Sequence, residues 1–165
     1  MRRDKINYYL DLAEVVLARS TCIRRRYGAV IVKNDTVIST GYNGAPRGRA
    51  NCTDLGVCLR ESLGVARGER YELCRSVHAE ANAIIAASRE EMLGSSLFLT
   101  GIEASTGQYT EDTDCCAMCK RLVINAGISI VYARIDRDRY RIIHVDEAWV
   151  SGDETLPTLS DDATP

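Results

Sequence analysis

Among the first twenty positions Ile6, Tyr9, Leu10, Ala13, Val16 and Leu17 recur at three and four residue intervals and trace one apolar helical face over residues 5–19. Gly28 to Val32 and Thr36 to Thr40 are rich in Val and Ile, and the polar Lys33-Asn34-Asp35 between them has hairpin turn chemistry, so two strands follow the helix. Val77 to Ser88 is alanine-rich and reads as a helix of about three turns. Ser96 to Thr100 reads as a strand, Cys116 to Ala126 as a helix closed by Gly127, Ile128 to Tyr132 as a strand, and Arg139 to Val145 as a last strand. Strands alternating with helices in this order predict an α/β three-layer sandwich, a mixed sheet of about five strands with helices on its faces.

Two segments lack periodicity. Gly41 to Gly48 is a glycine and proline rich loop, and from there to Ser76 the chain stays polar and arginine-rich. Gly101 to Asp114 is a second polar stretch. Loops this long inside a compact domain usually carry a binding function or are tied down by something other than a core. After residue 150 the chain holds four acidic residues and no basic ones, so residues 1–150 are read as a single domain and 151–165 as a loosely ordered acidic tail.

At 165 residues and 45% hydrophobic, the chain is long enough to bury a core without disulfides. A net charge of -2 with one Trp and one Phe speaks against a nucleic-acid groove and points to a small ligand. No uncharged apolar stretch has signal-peptide or membrane-spanning length, which places the chain in the cytoplasm and off the membrane. In that reducing setting seven cysteines point to metal binding or catalysis as well as to core packing.

Spacing separates these uses. His78-Ala79-Glu80 opens one predicted helix and Cys116-Ala117-Met118-Cys119 opens another. One imidazole and two thiolates fill three corners of tetrahedral zinc and leave the fourth for water, as catalytic sites do and closed structural sites do not. Zinc lowers the pKa of its water from about 15.7 toward about 7, and a carboxylate at Glu80 can take the water proton, deliver it to the ring nitrogen and later, with a second proton, protonate the leaving ammonia. His-x-Glu with Cys-x-x-Cys is the pattern of zinc deaminases that attack C4 of cytosine or C6 of adenine. His144, the other histidine, lies on an apolar strand-like run and is read as structural.

The run His78-Ala79-Glu80-Ala81-Asn82-Ala83-Ile84, the loop Gly41 to Gly48 and Tyr27-Gly28-Ala29-Val30 resemble the deoxycytidylate deaminase family over about residues 5–135. The resemblance implies the cytidine-deaminase-like fold and a homo-oligomer, often a hexamer. It also implies deamination of dCMP to dUMP, with dCTP and dTTP as effectors. For the substrate it implies Asn43 on the sugar, the Ala79 backbone with Glu80 on the base edge, and Tyr42 to Gly48 near the phosphate. Arg26, in the run Arg24-Arg25-Arg26 before the first strand, is the phosphate candidate. Two departures stand out: Cys115 occupies the usual proline position before the cysteine pair, and Gly101 to Asp114 is inserted before it. The competing readings are a deaminase of another free base, of a nucleoside or of cytosine in single-stranded nucleic acid, and a non-enzymatic zinc-containing nucleotide-binding protein. Cys22, Cys52, Cys58 and Cys74 remain; four thiols could close a second, structural zinc site that ties down the irregular segment.

Overall fold

A computed structural model describes residues 1–152, so the acidic tail expected over 151–165 lies outside the described residues beyond Gly152. Helix α1 (Lys5–Leu17) starts where the Asp4 side chain accepts from the Asn7 amide, and it leads into strands β1 (Arg25–Lys33) and β2 (Thr36–Tyr42). Asn34 and Asp35 both take positive φ, as a tight hairpin between right-twisted strands demands. Two one-turn helices follow, α2 (Cys52–Leu55) and α3 (Leu59–Ser62), and then a 3₁₀ turn at Tyr71–Leu73. Next come α4 (Ala79–Ile85), α5 (Arg89–Met92), β3 (Ser96–Glu103), α6 (Ala117–Ala126), β4 (Ile130–Arg134), β5 (Tyr140–His144) and a π turn at Asp146–Ser151.

The sheet runs in the order β2-β1-β3-β4-β5, with β3 and β4 parallel and every other neighbouring pair antiparallel. The expected mixed five-stranded sandwich is what forms. Strand alternation splits the core in two. Ala29, Ile31, Leu97, Leu99 and Val131 pack with α4 and α6, while Val30, Val32 and Phe98 pack under α1. Two glycines let the layers touch. A methyl at Gly28 would strike the Ala13 carbonyl of α1, and one at Gly41 would strike the Ala79 carbonyl of α4. No described helix is long and apolar enough to cross a membrane.

The structure departs from the sequence reading in two places. The helix expected to run to Ser88 stops at Ile85, because Ser88 caps a new turn instead: its hydroxyl accepts from the Glu91 amide and the Glu91 carboxylate accepts from the Ser88 amide. Strand β3 continues past Thr100 to Glu103, and the chain folds back on it: Ile102 bridges Tyr109, and the Thr110 amide donates to the Gly101 carbonyl at 3.0 Å. The Gly101 to Asp114 insertion is therefore ordered, and its anchor is Arg134, whose side chain is fully buried. That guanidinium donates to Asp11 at 2.7 Å, to Glu14 at 2.9 Å and to the Asn7 carbonyl at 3.2 Å, while the Tyr109 hydroxyl donates to Glu14 at 2.8 Å. One buried cation thus joins α1, β4 and the insertion, paired with two carboxylates as a buried charge requires, with its Nε left unpartnered among the described residues.

Candidate metal and nucleotide site

His78 and Cys116 are the N-cap residues of α4 and α6, so each leaves an extended backbone and enters a helix as its side chain meets the other. Val77, just before His78, is held by paired backbone hydrogen bonds with Gly44 at 2.8 and 3.1 Å, and the Asn82 amide ties α4 to the Tyr42 carbonyl at 2.8 Å. His78 Nδ1 lies 3.4 Å from both Cys116 Sγ and Cys119 Sγ. All three ligand atoms fall within 4.8 Å of one another.

These distances fit zinc. Bonds of about 2.3 Å to sulfur and about 2.0–2.1 Å to nitrogen at the tetrahedral angle separate the two donors by about 3.6 Å. The donor set also favours a thiolate at Cys116. Hydrogen bonding from the Cys119 thiol, against the cost of burial, leads in pulling Cys116 down to about 4. Burial opposes a charge on His78, yet hydrogen bonding to Cys116 and Cys74 outweighs it and pushes the imidazole up to about 10. The bond to Cys116 and its own burial raise Cys119. Positive helix ends beside thiolates add to the same preference. Cys115 stays out of the donor group: its thiol is buried and burial, then the charge of Glu80, drives its pKa well up.

Glu80, the second residue of α4, is only 5% exposed, and its pKa is raised by that burial although His78 pulls the other way. It lines a cavity with Asn43, Tyr27, Tyr71, Asp114 and the backbone region of Ala79, His78 and Cys116. Of the Tyr42 to Gly48 loop, Asn43 is the member that lines this cavity. Its Oδ1 accepts from Ser20 Oγ at 2.6 Å and from the Tyr27 amide at 2.8 Å, and its Nδ2 donates to the Arg25 carbonyl at 2.9 Å. One amide N–H is left for a ligand.

The arginine run divides at the start of β1, with Arg24 before the strand and Arg25 and Arg26 on opposite faces of it. Arg26 shares with Gly28 the face of β1 that packs on α1, so the structure does not bring it into the cavity. Its neighbours Arg24 and Arg25 line the cavity instead, with Arg60 and Arg67 from the irregular segment. Arg25 pairs with Glu103 at 2.7 Å and Arg67 with Asp112 at 2.5 Å. Among the described residues, no hydrogen bond or ion pair occupies the Arg24 side chain. Of the remaining cysteines, Cys22, Cys58 and Cys74 line the cavity and Cys52 is buried beside them, its pKa raised first by burial and then by the nearness of Cys22, Cys74 and Cys58. The four do not close into a common donor group among the described residues. Tyr71, Tyr27 and Asp114 had no signal in the sequence beyond proximity to the motifs.

An α/β/α sandwich that sets a His-x-Glu motif and a Cys-x-x-Cys motif at adjoining helix starts defines the zinc deaminase class. Residues 3–135 match the model of the cytidine and deoxycytidylate deaminase zinc-binding region, and the chain belongs to that family. It is 35% identical over 139 residues to the deoxycytidylate deaminase of Mycobacterium phage D29, covering 81% of this chain and 97% of that one. It is 34% identical over 127 residues to the deoxycytidylate deaminase of Schizosaccharomyces pombe, where the match takes in 76% of this chain but 36% of the longer yeast protein. The structure of dCMP deaminase from cyanophage S-TIM5 in complex with dCMP and dUMP superposes with a TM-score of 0.57 at 28% identity, covering 81% of this chain and 83% of that one. The His/Cys/Cys group is accordingly a zinc-binding site for one catalytic zinc.

Proposed function

We propose that this chain hydrolyses dCMP to dUMP and ammonia. The observation that carries the reading is the placement of a buried carboxylate, Glu80, against an open three-donor metal group in an arginine-lined cavity. A zinc ion held by His78, Cys116 and Cys119 would supply an acidified water, its pKa lowered from about 15.7 toward about 7. The protein's own part is proton movement and orientation. The Glu80 carboxylate takes a proton from the attacking water and passes it to N3 of the ring as the water oxygen adds to C4. The same carboxylate then serves the departing amine as the C4–N bond breaks. The Ala79 backbone meets the base edge, the free N–H of Asn43 meets the sugar, and Arg24 takes the 5′-phosphate in place of Arg26. A purely structural zinc would need a fourth protein ligand, and the donor group offers three.

Further parts of the reading rest on family likeness and on surface character. A homo-oligomer would cover the exposed Ile85, Met118 and Leu122 of α4 and α6, and dCTP and dTTP would act as effectors in a cytoplasmic enzyme. A second zinc on Cys22, Cys52, Cys58 and Cys74 would require those thiols to draw together, and metal analysis of the purified protein would return two zinc ions per chain if they do. Ammonia release from dCMP, CMP, deoxycytidine, cytosine, dCTP and short single-stranded DNA, each with and without dCTP or dTTP, tests the substrate. Preference for dCMP is the expected result. Turnover confined to a non-nucleotide base or to DNA would overturn it.

A further inference from the structure

We infer that Tyr71, braced by Arg60, is a positioning residue that sets the orientation of the His78 imidazole for the metal. The inference rests on the reading of His78 as a zinc ligand. The Tyr71 ring stands perpendicular to the His78 ring, at 89° with centroids 5.0 Å apart. Its face is covered by the Arg60 guanidinium at 4.4 Å from the centroid. That guanidinium is itself fixed. Arg60 is buried, its Nε donates to the Glu69 carbonyl at 3.2 Å, and its Nη2 donates to the carbonyls of Ala66 at 3.0 Å and Glu69 at 2.6 Å. Arg70 enters the 3₁₀ turn that carries Tyr71 with φ at +49°, a left-handed conformation that a non-glycine residue adopts only when its surroundings impose it.

His78 needs such a brace. As the N-cap of α4 it makes no side-chain capping hydrogen bond that would hold the ring, and its Nδ1 is turned toward the sulfurs of the two metal-site cysteines. In metal sites a partner outside the ligand set normally holds the imidazole at the correct rotation, and losing it costs about 10–100-fold in metal affinity or activity. Here the Cys74 thiol is one such partner, and the perpendicular Tyr71 ring shares the task with it. A perpendicular ring pair is a favoured aromatic geometry, and the cation above Tyr71 holds it from the far side. The irregular segment between the glycine-rich loop and the metal motif thereby gains a definite role, because it carries the brace.

The test compares Tyr71→Leu, Tyr71→Phe, Arg60→Met and His78→Ala with the unaltered protein, reading zinc retention against a competing chelator and the visible absorption of the cobalt-substituted form. Tyr71→Leu is expected to weaken zinc retention about 10–100-fold and to change the cobalt spectrum. Tyr71→Phe should restore both to the unaltered values, because it keeps the ring and drops only the hydroxyl. Arg60→Met should fall between them, and it carries the test if Tyr71→Leu does not fold. Zinc retention and cobalt spectrum unchanged in a folded Tyr71→Leu or Arg60→Met, with both lost in His78→Ala, would overturn the brace alone. Undiminished zinc retention in His78→Ala would overturn the ligand reading beneath it.

Discussion

Glu80 and Cys115 lie side by side in the buried wall of the site, and the proposed reaction uses only Glu80. Replacing Glu80 with Gln keeps the shape and one hydrogen-bonding oxygen but removes the group that can take a proton, so deamination should fall by about 10²–10⁴-fold while zinc content stays at the unaltered level. Steady-state rates beside metal analysis check this, and a Gln variant turning over at the normal rate would remove Glu80 from the mechanism. For Cys115 the expectation is the reverse. Its thiol lies outside the donor group, so Cys115→Ala should keep one zinc under chelator challenge where Cys116→Ala loses it. The metal donors and Glu80 were legible in the sequence because each motif sits at the start of a helix, where spacing fixes direction. Arg26 was not, since the sequence does not show where β1 begins: Arg24 precedes the strand, while Arg25 and Arg26 lie on it and take opposite faces, and only the packing of Gly28 on α1 shows which face Arg26 shares.

Gly41 and Gly28 make parallel contacts on the two faces of the sheet and so separate stability from function at the level of elements. Alanine at Gly41 would drive α4 off β2, carrying His78 and Glu80 with it. Alanine at Gly28 would displace α1, which holds none of the metal donors. Overpacking of this kind costs about 1–3 kcal/mol, so both variants should lower the urea midpoint, but only Gly41→Ala should also weaken zinc retention and turnover per folded molecule. Equal metal retention in the two would mean that α4 yields as a rigid unit without disturbing the site. Periodicity disclosed α1, β2 and α6 because each has one apolar face turned to the core, and β1 showed as a continuous apolar run because both its faces are buried. It could not disclose the order in residues 49–76 or in 101–114, where polar contacts do the holding: Arg60 onto loop carbonyls, Arg134 onto α1 and Tyr109. The break between α4 and α5 was written in the sequence as Ser88-x-x-Glu91, a capping box hidden inside an alanine-rich run that also reads as continuous helix.

At the scale of the whole molecule, the metal site joins parts of the chain that are far apart in sequence. His78 and Cys116 are 38 residues apart, with α4, α5 and β3 between them, so a zinc ion bound to both closes a long loop that contains a central strand of the sheet. Such a site cannot exist in the unfolded chain, and its binding free energy adds to folding. Free zinc at 100 times its dissociation constant stabilises the native state by about 2.7 kcal/mol, which for a chain of this size raises the melting temperature by about 5–10 °C. Stripping the metal should reverse that rise and zinc should restore it, while His78→Ala should melt at one temperature with or without zinc. Acid should act in the same direction as the chelator. The imidazole and the Cys119 thiol must shed their protons to bind, with His78 pushed up to about 10 and Cys119 raised, while Cys116 stays a thiolate down to about 4, so lowering the pH from neutrality favours protons over zinc at those two donors. The zinc-dependent part of the melting temperature should therefore shrink steadily as the pH is lowered from neutrality and vanish before the sheet itself unfolds. A zinc increment that stayed constant across that range would mean that the ion is held by groups other than these three.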